Sequence, residues 1–288
     1  MGGRQALVRA AAWAAVGAVA FSASGIGAKL VGGLPSSEVS WFRALGALVA
    51  VAILFRHAAL DWRQARDGKW HMVRIASGVF SLICLMHAFS VLPIGLASLI
   101  LFTRVLLMPV VARILLSEVL TRRAAIAAAI GFAGAVVAIW PAIALRGETL
   151  GVLAAVGASL GTALSQTAVR RLALTNAPEI IVAIYGAGAV AVLSPIVALQ
   201  WVTPAFVALP YLLILALGGA VAQYAAVVAF RHAPVRYVAP FDFLTVPASA
   251  ILGFAVFGDR ISGWDISGAA LIFAASWYLI AGRDEAAR

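Results

Sequence analysis

The chain has 288 residues, of which 64% are hydrophobic and only 11% charged, and its formal net charge is +10. A mean hydropathy of +1.05 lies well outside the range of soluble globular domains, so lipid is the expected solvent and no soluble domain is expected beside the membrane part. The 21 Lys and Arg residues stand in short clusters at the ends of apolar runs, which reads as a membrane orientation signal and argues against a nucleic-acid partner.

An α-helix rises about 1.5 Å per residue, so about 20 apolar residues cross a hydrocarbon core about 30 Å thick. Ten runs of that length are predicted, over 10–31, 37–55, 70–91, 94–116, 122–141, 149–171, 177–199, 205–229, 234–257 and 263–281. The first follows Arg4 and Arg9, is longer than a signal-peptide core and continues past Ser22, Ala23, Ser24 and Gly25, so it is expected to be retained. Turn chemistry separates the runs at Gly32-Gly33-Leu34-Pro35, Leu92-Pro93, Asn176-Ala177-Pro178, Ala233-Pro234 and Gly258. With the N-terminus in the cytoplasm, fifteen basic residues fall on the inner side, Arg74 among them, and three (Lys29, Arg146, Arg260) on the outer. That asymmetry predicts both termini inside and an even number of spans in the cell's inner membrane. Trp13, Trp41, Trp140, Trp201 and Trp264 fall near predicted helix ends, where an amphipathic ring sits at the headgroup boundary. The segment His57 to Trp70 reads equally as a helix lying on the inner surface or as a polar loop.

The sequence also repeats itself. Ala-Ala-Val-Gly-Ala at 14–18 recurs at 154–158, and at a spacing of 141 Glu38 matches Glu179, Ala88-Phe89 matches Ala229-Phe230, Pro93 matches Pro234 and Glu118 is answered by Asp259. Two units follow, 10–141 and 149–281, each of five spans. Because five is odd, the second unit enters the membrane in the opposite sense. Inverted repeats of this kind place a central site at their interface, open alternately to either side, so the organisation itself predicts transport.

On these marks the chain resembles the drug/metabolite transporter superfamily, in particular its ten-helix members built from two EamA-type units. The resemblance spans about residues 10–281 and rests on Ala88-Phe89 ahead of Pro93, on Ser117-Glu118-Val119-Leu120-Thr121, and on their counterparts Ala229-Phe230, Pro234 and Gly258-Asp259-Arg260-Ile261-Ser262. It implies an all-α membrane fold and export of small metabolites, with neutral or aromatic amino acids as the nearest substrate class and drugs, amines or sugar derivatives as the alternatives.

Charges deep in a spanning helix cost about 2.5–3.5 kcal/mol each on insertion scales and need a reason. Arg104 and Asp242 stand well inside the fourth and ninth runs, which the repeat relates. Either they bind, Arg104 taking a substrate carboxylate by a charge-assisted fork and Asp242 an ammonium or a coupling proton, or they neutralise each other as a structural pair. Pro240 and Pro247 are expected to break the ninth helix by freeing the carbonyls of Arg236 and Phe243, making a hinge, with Asp242, Thr245 and Ser249 on one face; a healed kink is the plainer alternative. Ser159, Thr162 and Gln166 share a face of the sixth helix, Ser22 is the repeat mate of Thr162, and Gln223 and Tyr224 stand mid-helix in the eighth. Such small polar residues line a cavity or stitch helices together. His87 is a second candidate for proton relay, or a packing histidine. Arg43 and Arg113 are expected to snorkel to the two surfaces and receive no site role.

An intramembrane enzyme is the alternative from a different class; against it, no His-Glu-x-x-His run, metal-ligand spacing or close carboxylate pair appears, and no metal or other cofactor is expected. No Walker-type glycine loop appears either, which leaves a gradient as the energy source. A channel would call for a filter-like loop or a ring of like charge, and the sequence offers neither. The expected partners are a small-molecule substrate, the bilayer and, through Asp242 or His87, protons. A sugar-phosphate substrate would call for several inward-facing basic residues, and only Arg104 is expected to qualify.

Overall fold

The computed structural model describes residues 3–54, 65–91, 100–140, 149–258 and 262–281. The expected break at Leu92-Pro93, the Asp259-Arg260-Ile261 mark and most of the His57–Trp70 segment lie outside the described residues. Among the described residues the protein is all-helical, without strands. The long helices are α1 (Gly3–Val31), α2 (Ser36–Leu54), α3 (Gly68–Val91), α4 (Arg104–Leu116), α5 (Arg122–Ile139), α6 (Thr149–Ala173), α7 (Pro178–Leu199) and α8 (Leu209–His232). A single turn, α9 (Val235–Val238), and a 3-10 segment (Ala239–Leu244) lead into α10 (Thr245–Phe257), and α11 (Gly263–Ala281) closes the chain.

Local chemistry sets these boundaries. Gly32 and Gly33, both at positive φ, end the first helix. Thr121 caps α5 by accepting the Ala124 N–H at 3.3 Å, and Pro178 opens α7 at a position where its missing N–H costs nothing. Two expectations change. The fourth run is interrupted at Thr103, so α4 begins only at Arg104. Pro247 does not break a helix, because it sits in the first turn of α10, where the N–H groups have no intrahelical acceptor in any case; the break lies in the 3-10 segment around Pro240.

Among the described residues, seven helical stretches are long and apolar enough to cross a membrane: 5–31, 36–53, 149–173, 178–198, 206–232, 235–257 and 263–281. α3, with Lys69 and Arg74 in its first two turns, the 13-residue α4 and α5, headed by Arg122-Arg123, fall outside that group. The outer surface is apolar: Leu199, Phe206 and Trp277 are 91%, 86% and 73% exposed. An aqueous surface of that kind would aggregate, so the protein is a multi-pass membrane protein.

Helix contacts come in exchangeable pairs. α1 packs along α8 as α3 packs along α6, α4 touches α6 as α1 touches α10, and α2–α7 and α5–α11 pair directly. α4 and α10 are both 13 residues long, begin 141 positions apart, and end on left-handed residues, Ser117 and Gly258. At the α5–α11 crossing Gly134 and Gly268 face each other so closely that a Cβ on either would lie within 2.8 Å of the other's carbonyl oxygen. Only glycine permits that approach.

Candidate functional site

The interruptions of the fourth and ninth segments meet at one polar cavity. Its volume is about 200 Å³, and α1, α2, α3, α4, α6, α7, α8, α10 and the 3-10 segment all contribute to its wall. Of the residues expected from sequence, Arg104, Asp242, Thr245, Thr162, Gln166 and Gln223 line it. Arg104 Nε lies 3.5 Å from Asp242 Oδ2, with side-chain exposures of 10% and 26%. That separation makes an ion pair but is longer than a good N–H···O hydrogen bond, so the two charges compensate without saturating each other. Thr245 Oγ1 donates to the Asp242 carbonyl and so ties the 3-10 segment to the start of α10.

Other expected residues stitch helices. Ser22 is buried and does not line the cavity; its hydroxyl lies 2.9 Å from the Ala18 carbonyl, 3.3 Å from that of Thr245 and 3.0 Å from Ser249 Oγ, which joins α1 to α10. Ser159 Oγ lies 2.8 Å from Thr103 Oγ1 at the α4–α6 contact. Tyr224 packs edge-on against Trp13 outside the cavity, and His87 is exposed, away from its wall.

Three residues were missed. Arg43 does not snorkel; it faces the cavity with its guanidinium 4.9 Å from the centre of the Phe21 ring. Arg74, grouped by its sequence with the inner-side charges, is 1% exposed and turns inward. Its guanidinium stacks 4.7 Å from the Tyr185 ring centre, Nη2 donates to Gln223 Oε1 at 3.1 Å, and Nη1 has no hydrogen-bond partner among the described residues. Tyr185 on α7 is the third. Each arginine stands at least six residues inside its helix, and that depth was the available signal. What hid it was the choice between snorkelling outward and turning inward, which neighbouring helices make. Beside them Ser81 Oγ lies 2.6 Å from Thr162 Oγ1, and Ser165 Oγ donates to the Arg74 carbonyl at 3.2 Å.

Near the Arg170 end of α6 a second ion pair ties helices together. Glu118 accepts from Arg170 Nε at 2.9 Å and from the Val235 N–H at 3.0 Å, and Arg170 Nη1 reaches the Phe230 carbonyl. One carboxylate thus joins the C-terminal end of α4 to α6 and α9. Glu118→Gln keeps one acceptor and loses the charge, so a stability loss of about 1–2 kcal/mol is expected, seen as a lower thermal unfolding midpoint in detergent. Arg171→Ala is expected to cost less than about 1 kcal/mol, because its 3.5 Å pair with Asp67 is partly exposed, at 41% and 27%.

Against known proteins, no family model matches the sequence. The chain is 24% identical over 273 residues to an S-adenosylmethionine uptake transporter of Rickettsia felis, covering 93% of this chain and 91% of that protein. A riboflavin transporter of Rhizobium johnstonii is 41% identical over a 61-residue stretch, 21% of this chain and 20% of that protein. A solved crystal structure of a protein 19% identical in sequence superposes with a TM-score of 0.81 over 93% of this chain and 95% of the other, so the two share a fold. The distant relatives with names are transporters of small metabolites.

Proposed function

We propose that this protein is a secondary transporter of small metabolites, working by alternating access, and not an enzyme. The observation that carries this reading is a cavity lined in part by charged side chains, with Arg104 and Asp242 paired, inside a bundle whose outside is apolar. Charge in such a place is costly unless it serves a passage for polar solute. The named relatives, both transporters, agree with it.

In this reading the chain is an EamA-type member of the drug/metabolite transporter superfamily, with ten spans in two inverted units, 10–141 and 149–281. The exchangeable helix pairs and the matched breaks before α4 and α10 support the inverted repeat. A two-fold relation between the units makes two packings nearly equal in energy, one open to each side. Pro240, at the break, is the hinge. The charge asymmetry supports an inner-membrane location with cytoplasmic termini.

The substrate carries a carboxylate or a similar acidic group, which an arginine fork receives. Neutral and aromatic amino acids, exported from the cell, are the first solutes to assay: carboxylate on Arg104, ammonium on Asp242. The relative in Rickettsia is named for uptake, and one cavity serves either direction. Amines and other cations fit poorly beside three guanidinium groups.

The test is uptake of radiolabelled solutes into liposomes carrying the purified protein, with and without unlabelled solute inside. Saturable flux stimulated by the internal pool identifies a carrier; non-saturating flux indifferent to it would make the protein a channel. Asp242 is the proton-coupling candidate. Asp242→Asn is expected to abolish the response of flux to an imposed pH gradient while downhill flux stays measurable. Retention of that response would assign coupling to another group, with His87 next.

A further inference from the structure

We infer that the cavity binds small organic dianions, molecules with two negative charges as two carboxylates or one phosphate monoester, in preference to neutral amino acids. This rests on the carrier reading and specifies its substrate. Among the described residues three guanidinium groups and one carboxylate line the cavity, an excess of two positive charges. The Arg104–Asp242 pair is neutral as a unit, so the excess resides on Arg43 and Arg74. Neither has a carboxylate partner among the described residues. Charges within a membrane find counter-charges, and among the described residues none pairs with these two.

The form of the two sites agrees with a ligand role. Each guanidinium lies near an aromatic ring, Phe21 for Arg43 and Tyr185 for Arg74, which leaves its N–H edge for an oxyanion. Arg74 is 1% exposed, and its Nη1 has no partner among the described residues; a buried donor left in that state is costly and is satisfied when an acceptor arrives. The cavity also adjoins the first residues of α4 and α10, Arg104 and Thr245, where the helix dipoles add positive potential. A zwitterion would leave the two excess charges uncompensated, whereas a dianion neutralises the cavity. At about 200 Å³ the space is below the range of about 300–1,000 Å³ that drug-sized ligands occupy, which selects compact acids.

The experiment compares labelled succinate, glycerol phosphate, lactate and phenylalanine in liposomes carrying the full chain. Saturable flux of succinate, glycerol phosphate or both is expected at about ten times that of lactate or phenylalanine or more, the margin set by one further charge-assisted contact. Succinate alone would assign two carboxylates, and glycerol phosphate alone a phosphate. Arg43→Gln and Arg74→Gln should each lower dianion flux about tenfold or more and bring the dianion-to-lactate ratio towards one, with Arg74→Lys between them and wild type. Phenylalanine flux that neither dianion inhibits, or an unchanged ratio in folded variants, would overturn the inference while leaving the carrier reading intact. If no solute moves, the carrier reading fails, and equilibrium dialysis decides the inference: binding of succinate or glycerol phosphate to the detergent-purified protein, lost in Arg74→Gln, sustains it, and no binding of either overturns it.

Discussion

Arg104→Ala is expected to abolish saturable flux and to destabilise the protein by about 3 kcal/mol, the lower end of the range for breaking a buried ion pair, because Asp242 keeps some access to the cavity. The loss has two parts. Transport fails because the fork that receives an acidic group is gone; stability falls because the Asp242 carboxylate is left in a low-dielectric wall without its counter-charge. The parts separate in a double variant. Arg104→Ala with Asp242→Asn removes the uncompensated charge, so most of the stability should return while flux stays absent. For a chain of this size about 3 kcal/mol corresponds to a shift of about 6–12 °C in the unfolding midpoint in detergent, well within measurement. A single Arg104→Ala variant with wild-type stability would mean that the pair is not a structural unit. Recovery of flux in the double variant would take Arg104 out of the site.

Gly268→Leu is expected to damage the fold by at least about 3 kcal/mol and to yield aggregated protein on size exclusion. A Cβ at 268 would lie 2.5 Å from both the Gly134 carbonyl oxygen and the Ala138 Cβ, and 2.7 Å from the Ala138 nitrogen. Two of those three atoms are backbone, so relief requires α5 and α11 to separate along their whole contact. In lipid there is little hydrophobic force to hold a loosened pair together, since the acyl chains are as apolar as the side chains. Ala270→Leu, two residues along on the exposed side of α11, is the matched control and should leave stability within about 0.5 kcal/mol. Equal damage from both would place the cost in helix insertion and not in the α5–α11 contact.

What is legible in the sequence depends on whether the signal is local or needs a neighbour. Segment ends at Val31, Leu199, His232 and Phe257 follow from glycine, proline and apolar run length, because the bilayer demands about 20 apolar residues and turn residues stop them. Arg104 and Asp242 were visible for the same reason: one charge in a long apolar run is an outlier wherever its partner lies. Other features needed the third dimension. Ser22 and Thr162 are matched by their spacing in the sequence, yet one joins α1 to α10 and the other faces the cavity, a distinction set by which helix lies opposite. Pro247 looks like a breaker until the helix start is known to lie two residues before it. Above all, the sequence by itself determined a helical membrane chain with two opposite charges deep in its apolar runs, because those properties are carried residue by residue. Only the tertiary structure decided that Arg43 and Arg74 turn inward, since a long, flexible arginine can reach either surface or core, and the Phe21 and Tyr185 rings on neighbouring helices supply the contacts that hold it there.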